Sequence, residues 1–372
     1  MLLLVLTALF PATAGAQGPV VVGDSVRVVA GARYEAGRLH RFLFGRGWRH
    51  LWTTEIRVPV LDLGRTAGGL RPIERGGGFQ TRSLEMAGAD CRAFRFRSVD
   101  KDPSQNLPVW VRAPGVVEAV RDQTSALHPA AALVAAELAR VAAIPRPTPY
   151  LVWMPDAPRL GPFRAEFGGM LGILEERPSP TEGNPDPDGF RRVVDTDTLH
   201  ALLQASGDRG AVDSRAYLSA RLLDFFLNDW DRHEGNWLWG TRDSHPPRRW
   251  LAIPKDRDQA FANYGGAIVA VVRAFVPKLL PFTTDYRLPG LTVNARALDA
   301  AHLDGLPPPV WDSVAIAVAA RLTDGAIEQA LRAMPEAYYR LSREELTATL
   351  RARRAGLPAA ARAWARMLAE ER

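Results

Sequence analysis

The sequence predicts an α+β protein in two lobes, the N-terminal one β-rich and the C-terminal one mainly helical. Three observations carry this. Between Gly68 and Val99 short strand-like runs are broken by glycine, and Phe94 and Phe96 alternate with Arg95 and Arg97 at the period of a half-buried strand. Past the Gly/Pro/Asp stretch from Gly183 to Gly189, Leu218, Leu222, Phe225 and Phe226 recur at helical spacing. With 372 residues, 47% hydrophobic and 24% charged, the chain can bury the cores that such a fold needs.

Taken in order, Met1 to Phe10 is a short apolar run followed by Ala14-Gly15-Ala16, a small-x-small pattern. This reads as a signal peptide over 1–16, since the run is far shorter than the roughly 20 residues that span a bilayer. The expected mature chain is exported, periplasmic or extracellular, and has no transmembrane segment. Residues 17–67 read as an N-terminal extension with a strand over Val20 to Val29 and mixed helical spacing from Arg33 to Phe44. Residues 68–178 form the expected small lobe. It holds a hairpin of Gln80 to Met86 with Ala93 to Val99, helices over Val116 to Ser125 and Pro129 to Ala143, and strands over Tyr150 to Met154 and Phe163 to Leu174. The large lobe is expected over 179–310 and a helical C-terminal region over 311–372. In the latter, Ser342 and Glu345 have the spacing of a capping box, and Gly356 with Pro358 separates two Ala/Arg-rich helices.

Composition excludes several classes. Ten Trp and the spread of 31 Gly and 29 Pro are not those of a collagenous, coiled-coil or low-complexity chain. The single cysteine, Cys91, excludes an intramolecular disulfide framework and a multi-cysteine metal site, and is expected to be packed rather than reactive. The net charge of +6 comes from 47 basic and 41 acidic residues interleaved along the chain, with lysine only at Lys101, Lys255 and Lys278. Nucleic acid is not expected as a partner, because its footprint is a clustered basic patch.

The chemistry concentrates in two segments. Asn228 to Asn236 follows the apolar helix directly and contains Asp231-x-x-x-x-Asn236, while Asp256 comes twenty residues later at a strand-to-loop junction, with Asp258 beyond it. That arrangement suits phosphoryl transfer, in which one carboxylate accepts a hydroxyl proton while an amide oxygen and a second carboxylate hold a divalent metal on the phosphates. His233 reads as a structural hydrogen-bonding residue, His128 as a helix-start residue, and Trp230, Trp237 and Trp239 as core.

Asp231-Arg232-His233-x-x-Asn236 and Asp256-x-x-x-x-Phe261 resemble the catalytic loop and the metal-binding segment of the protein-kinase-like fold in its atypical branches, the phosphoinositide-type and secretory-pathway kinases. The resemblance covers about Gly68 to Phe261. It implies a two-lobed kinase-like fold with Asp231 as catalytic base, Asn236 and Asp256 as metal ligands and Asp258 as a further carboxylate. Gly76, Gly77 and Gly78 would form the glycine turn at the phosphates, and Lys101 would pair with them, with Arg97 as a competing cation. The acidic partner of that cation stays open among Glu118, Asp122 and Glu137. The implied cofactors are Mg²⁺ or Mn²⁺ and ATP or another phosphodonor. The phosphoacceptor, whether protein, lipid or small molecule, is not read from the sequence.

Two other functions compete. Asp231-x-His233 also opens the motif of metal-dependent phosphoesterases, although their later Gly-Asp and Gly-Asn-His elements do not follow here. A non-catalytic, kinase-shaped scaffold or envelope binding protein is the other reading.

Overall fold

The computed structural model describes residues 20–76, 81–107, 112–181, 184–207 and 211–371. The expected signal segment, Gly77, Gly78 and Gly183 lie outside the described residues. The fold is α+β, with a large sheet in the N-terminal part and helices in the C-terminal part.

Seven strands form that sheet: β1 (Val22–Val29), β2 (Glu55–Leu61), β3 (Leu70–Arg75), β4 (Ser83–Gly88), β5 (Ala93–Ser98), β6 (Thr148–Met154) and β7 (Met170–Arg177). Their order is β1-β2-β6-β7-β5-β4-β3, antiparallel except where β2 meets β6. The alternation read in β5 is what the sheet uses. Phe94 and Phe96 pair with Met86 and Leu84 on one side and with Glu176 and Leu174 on the other. Both rings are buried in a core with Leu70, Val152 and Met154. Arg95 and Arg97 therefore fall on the opposite face, beside Glu85 and Glu175. The sheet takes in β1 and β2, so it begins at Val22 and not at Gly68. The segment from Phe163 is extended only from Met170 on, because short helical turns fill Pro158–Phe163 and α5 (Arg164–Phe167). Cys91 is exposed rather than packed, because it lies in the β4–β5 turn, at φ 69°, and not on a strand face.

The remaining N-terminal helices are α1 (Arg38–Phe44), α2 (Arg49–Trp52), α3 (Pro114–Asp122) and α4 (Ala131–Val141). In the C-terminal part α6 (Thr196–Ser206) and α7 (Ser214–Leu227) accompany a small sheet ordered β10-β9-β8, made of β8 (Arg192–Val194), β9 (Trp237–Thr241) and β10 (Leu251–Pro254). There follow α8 (Ala267–Val272), α9 (Leu288–Thr292), α10 (Arg296–Leu303), α11 (Pro308–Arg321), α12 (Asp324–Leu331) and α13 (Glu336–Glu370).

α7 organises this half. Asp213 caps its N-terminus by accepting from the Ala216 N–H at 2.9 Å, and its stripe of Leu218, Leu222, Phe225 and Phe226 is fully buried. Asn228 ends it in the left-handed conformation, φ 60°, and its side-chain amide donates to the Ala262 carbonyl at 3.0 Å. The chain leaves the helix at that residue and enters the Asp231–Asn236 loop.

The C-terminal region differs from expectation. One helix, α13, runs from Glu336 through Gly356 and Pro358 to Glu370, and Ser342 lies inside it, donating to the Tyr338 carbonyl at 2.7 Å. A proline in a helix interior costs about 3 kcal/mol. Tertiary packing offsets it: Leu350, Leu357, Ala361 and Trp364 are fully buried on α7 and α11. Arg353, also fully buried, donates to the carbonyls of Phe226 (2.9 Å), Thr283 (2.6 Å), Asp285 (2.9 Å) and Phe225.

Candidate functional site

The loop after α7 is held by buried charge. Arg232 is fully buried and donates to Asp229 Oδ2 at 2.9 Å and to the backbone carbonyls of Lys255 (2.8 Å) and Asp256 (2.7 Å). One guanidinium thus ties the two candidate segments together. Burial pushes the Asp229 carboxyl up, against the pull of Arg232. Asp229 Oδ1 in turn accepts from the Asp231 N–H at 3.1 Å. Trp230, Trp237 and Trp239 are core, as expected. His233 is exposed, its Nδ1 accepting from the Gly235 N–H at 3.1 Å, so it caps its own turn. His128 likewise accepts from the Ala130 N–H at the start of α4, and burial holds it down to about 3, neutral.

Within the loop, the Asn236 side chain donates through Nδ2 to the Asp231 carbonyl at 2.7 Å, leaving its amide oxygen as an acceptor. The Lys255 N–H bonds the Asn236 carbonyl at 3.0 Å, so the pairing of β9 with β10 continues one residue further and sets Asn236 beside the residue that precedes Asp256. Asp231 Oδ1 accepts from Asn294 Nδ2 at 2.9 Å. Asn294, between α9 and α10, gave no signal in the sequence. It is 63 residues from Asp231 and belongs to no motif there.

Asp256 sits at φ 58°, a left-handed conformation that Asp tolerates better than most residues. Its Oδ2 is paired with Arg97 of β5, and Arg97 also reaches Glu175 of β7 at 3.4 Å. Burial would raise the Asp256 pKa, but Arg97, then Lys101 and Arg232, outweigh it and hold the carboxyl down to about 2. Lys101 lies just past β5 and pairs with Asp258. Burial lowers its ammonium to about 8, opposed first by Asp256. The acidic partner of Lys101 is therefore Asp258 and none of the three candidates. Asp122 binds Arg49 and His40, Glu137 binds Arg140, and Glu118 is exposed. Arg97, the competing cation, is the one that reaches Asp256.

A cavity of about 450 Å³ opens beside Lys101, lined also by Gly76, Ser83, Arg33, Arg75 and Arg121. Gly76 is the described end of the glycine run, and a Cβ there would meet the Ser83 hydroxyl, so a side chain would require that serine to turn away. The structure thus brings together Asp231, Asn236, Asp256, Asp258 and Lys101, with Gly76 at the neighbouring cavity.

The donor set fits a divalent metal shared with phosphates. Asp256 Oδ1 is buried without a hydrogen-bond partner, and the Asn236 oxygen is uncommitted. Among the described residues no group of three His, Cys, Asp or Glu could hold a metal alone. Mg²⁺ and Mn²⁺ accept sites of one or two carboxylates completed by phosphate oxygens and water.

No protein-family model and no curated protein sequence matches the chain. Several solved structures are similar to it, two of which follow. The Helicobacter pylori proinflammatory kinase CtkA is 11% identical, with 80% of this chain and 96% of that one covered and a TM-score of 0.41. A chain of the Shewanella oneidensis MR-1 toxin–antitoxin complex of HipA, HipB and operator DNA is 13% identical, with 79% and 74% covered and a TM-score of 0.35.

Proposed function

We propose that the protein is an exported kinase-like phosphotransferase that uses Mg²⁺ or Mn²⁺ and ATP or another phosphodonor to phosphorylate a hydroxyl acceptor. One observation supports this most: the Asn236 amide is bonded to the Asp231 carbonyl while Arg232 ties the same loop to the backbone at Lys255 and Asp256. A proton acceptor and two oxygen ligands are thereby held in one rigid unit, and rigid placement is most of what phosphoryl transfer asks of a protein.

Asp231 accepts the acceptor's hydroxyl proton on Oδ2, because Asn294 occupies Oδ1 and fixes the carboxylate's rotation. Asp256 and the Asn236 oxygen would hold the metal, with Asp258 available once Lys101 turns to phosphate. A metal held there would supply positive charge to offset that of the phosphate oxygens. Lys101 and Arg97 bind those oxygens from the sheet side. Export rests on the Met1 to Ala16 pattern, and N-terminal sequencing of the protein recovered outside the cytoplasm tests it.

A second reading, a kinase-shaped scaffold without turnover, is favoured by the two ion pairs that already engage Asp256 and Asp258. A thermal-shift titration with ATP plus Mg²⁺ or Mn²⁺ separates the two, since a ligand bound only by the folded state raises its stability. Metal-dependent stabilisation that Asp256→Asn lacks supports the enzyme. No shift with any nucleotide, in a folded sample, supports the scaffold.

A further inference from the structure

Among the described residues, the most exposed large apolar side chains cluster on two packed segments outside the site. Phe275 is 84% exposed, Leu39 72%, and Phe42 and Val271 67% each. Leu39 and Phe42 are one helical turn apart on α1, and Ile268, Val271 and Phe275 recur at the same spacing on α8 and the turn that follows it. α1 and α8 pack together through glycine: a Cβ on Gly45 would lie 2.6 Å from the Gly265 carbonyl, and one on Gly266 2.3 Å from the Gly45 nitrogen.

The α8 segment is a projecting excursion. Its base is closed by the Tyr264 N–H on the Leu280 carbonyl at 2.9 Å, and Arg273 donates across it to the carbonyls of Leu279 (2.6 Å) and Tyr264 (2.7 Å). Solvent-exposed phenylalanine and valine on a rigidly closed projection are costly to leave in water, and such patches mark interaction surfaces.

Charge selects the partner. No Asp or Glu occurs from Ala36 to Thr54 or from Gln259 to Thr284, whereas these stretches carry Arg38, Arg41, Arg46, Arg273 and Lys278, besides Arg49, which is buried on Asp122. Arg38 and Arg41 are exposed and interleave with Leu39 and Phe42. Of the carboxylates on neighbouring elements, Asp122 is engaged by Arg49 and His40 and Glu345 by Arg46, while Glu35 lines a cavity with Arg41 and Arg46 and Glu118 lines one with His40 and Phe44. Apolar side chains interleaved with exposed cations, in two stretches that themselves carry no carboxylate, match the interface of an anionic phospholipid bilayer. We propose that the α1–α8 face docks peripherally on such a bilayer. Lys278 stacks over the Trp230 ring at 4.9 Å, so docking would hold the Asp231 loop close to the lipid surface. The proposal goes beyond the phosphotransferase reading and stands without it.

The test is co-sedimentation of the full chain with phosphatidylcholine vesicles and with phosphatidylcholine–phosphatidylglycerol vesicles, compared with a variant carrying Leu39→Ser, Phe42→Ser, Val271→Ser and Phe275→Ser. Wild type is expected to bind the anionic vesicles and to be released by salt, with the serine variant weakened about tenfold or more. All four positions are exposed, and an unchanged unfolding midpoint checks the fold. Arg38→Gln with Arg41→Gln gives an independent arm, expected to weaken binding by about tenfold or more at about 1 kcal/mol per cation. No binding by wild type, equal binding to neutral vesicles, or a serine variant that binds like wild type overturns the proposal. So does a concentration-dependent dimer that the serine variant loses, since a second copy would then cover the face.

Discussion

The two sides of the candidate site are held in different ways. On the helical side, Arg232 is wholly buried and donates to one carboxylate and two carbonyls, and the loop from Asp229 to Asn236 is fixed before any ligand arrives. On the sheet side, Arg97 and Lys101 are held by the very carboxylates, Asp256 and Asp258, that a metal would take. The first is a scaffold and the second an exchangeable set of contacts. The proton acceptor and metal ligands are placed by the fold, while the cations that would meet phosphate are placed by partners they can give up.

Breaking the scaffold is expected to have the largest effect. Arg232→Met leaves Asp229 buried without its cation and should lower stability by about 3–5 kcal/mol in urea unfolding. A loss below about 1 kcal/mol would show that the loop does not depend on this network. Asp231→Asn keeps the shape and removes the proton acceptor. Its transfer rate, read with any phosphorylated product as assay, should fall about 10²- to 10⁴-fold with nucleotide affinity unchanged. Asn294→Ala, which only frees the carboxylate's rotation, should lower kcat about tenfold with the donor KM unchanged.

The exchangeable side should respond more weakly. Lys101→Met is expected to shift stability by about 1 kcal/mol, because its partner Asp258 retains contact with solvent. Its nucleotide-induced thermal shift should nonetheless disappear. Acid gives the smallest effect. The Asp256 pKa falls from its ordinary 3.8 to about 2 in the fold, so its stabilising contribution is complete above pH 3.8 and is lost as pH drops toward 2. In metal-free buffer, wild type should lose about 1 kcal/mol across that window relative to Asp256→Asn, as followed by pH-dependent thermal unfolding.

What the sequence disclosed follows the range of the interactions. Phe94 and Phe96 announced their strand because a period of two is local, and the α7 stripe announced its helix for the same reason. Asp231 and Asn236 lie within one short loop, so their spacing alone suggested their relation. Arg97 could not be ranked against Lys101, because which cation reaches Asp256 depends on the register of β5 on β7 and on how the sheet faces the loop. Asn294 needed the packing of α9 and α10 onto that loop. The C-terminal helix misled in the opposite sense: Gly356 and Pro358 are correct local stop signals, overruled by Arg353 and Trp364, whose partners lie far along the chain. β1 and β2 were set apart as an extension because their place in the sheet is fixed by pairing with each other and with β6, not by their own composition.

The central claim is that Asp256 and Asn236 complete a metal–phosphodonor site in a loop the fold has already fixed. Calorimetric titration of ATP into the protein, with Mg²⁺ or Mn²⁺ and then with EDTA, tests it most directly. The expected result is binding by wild type that requires the metal and that Asp256→Asn and Asn236→Ala each lose while remaining folded. Binding of equal strength in EDTA, or no binding by a folded wild type under either condition, would contradict it.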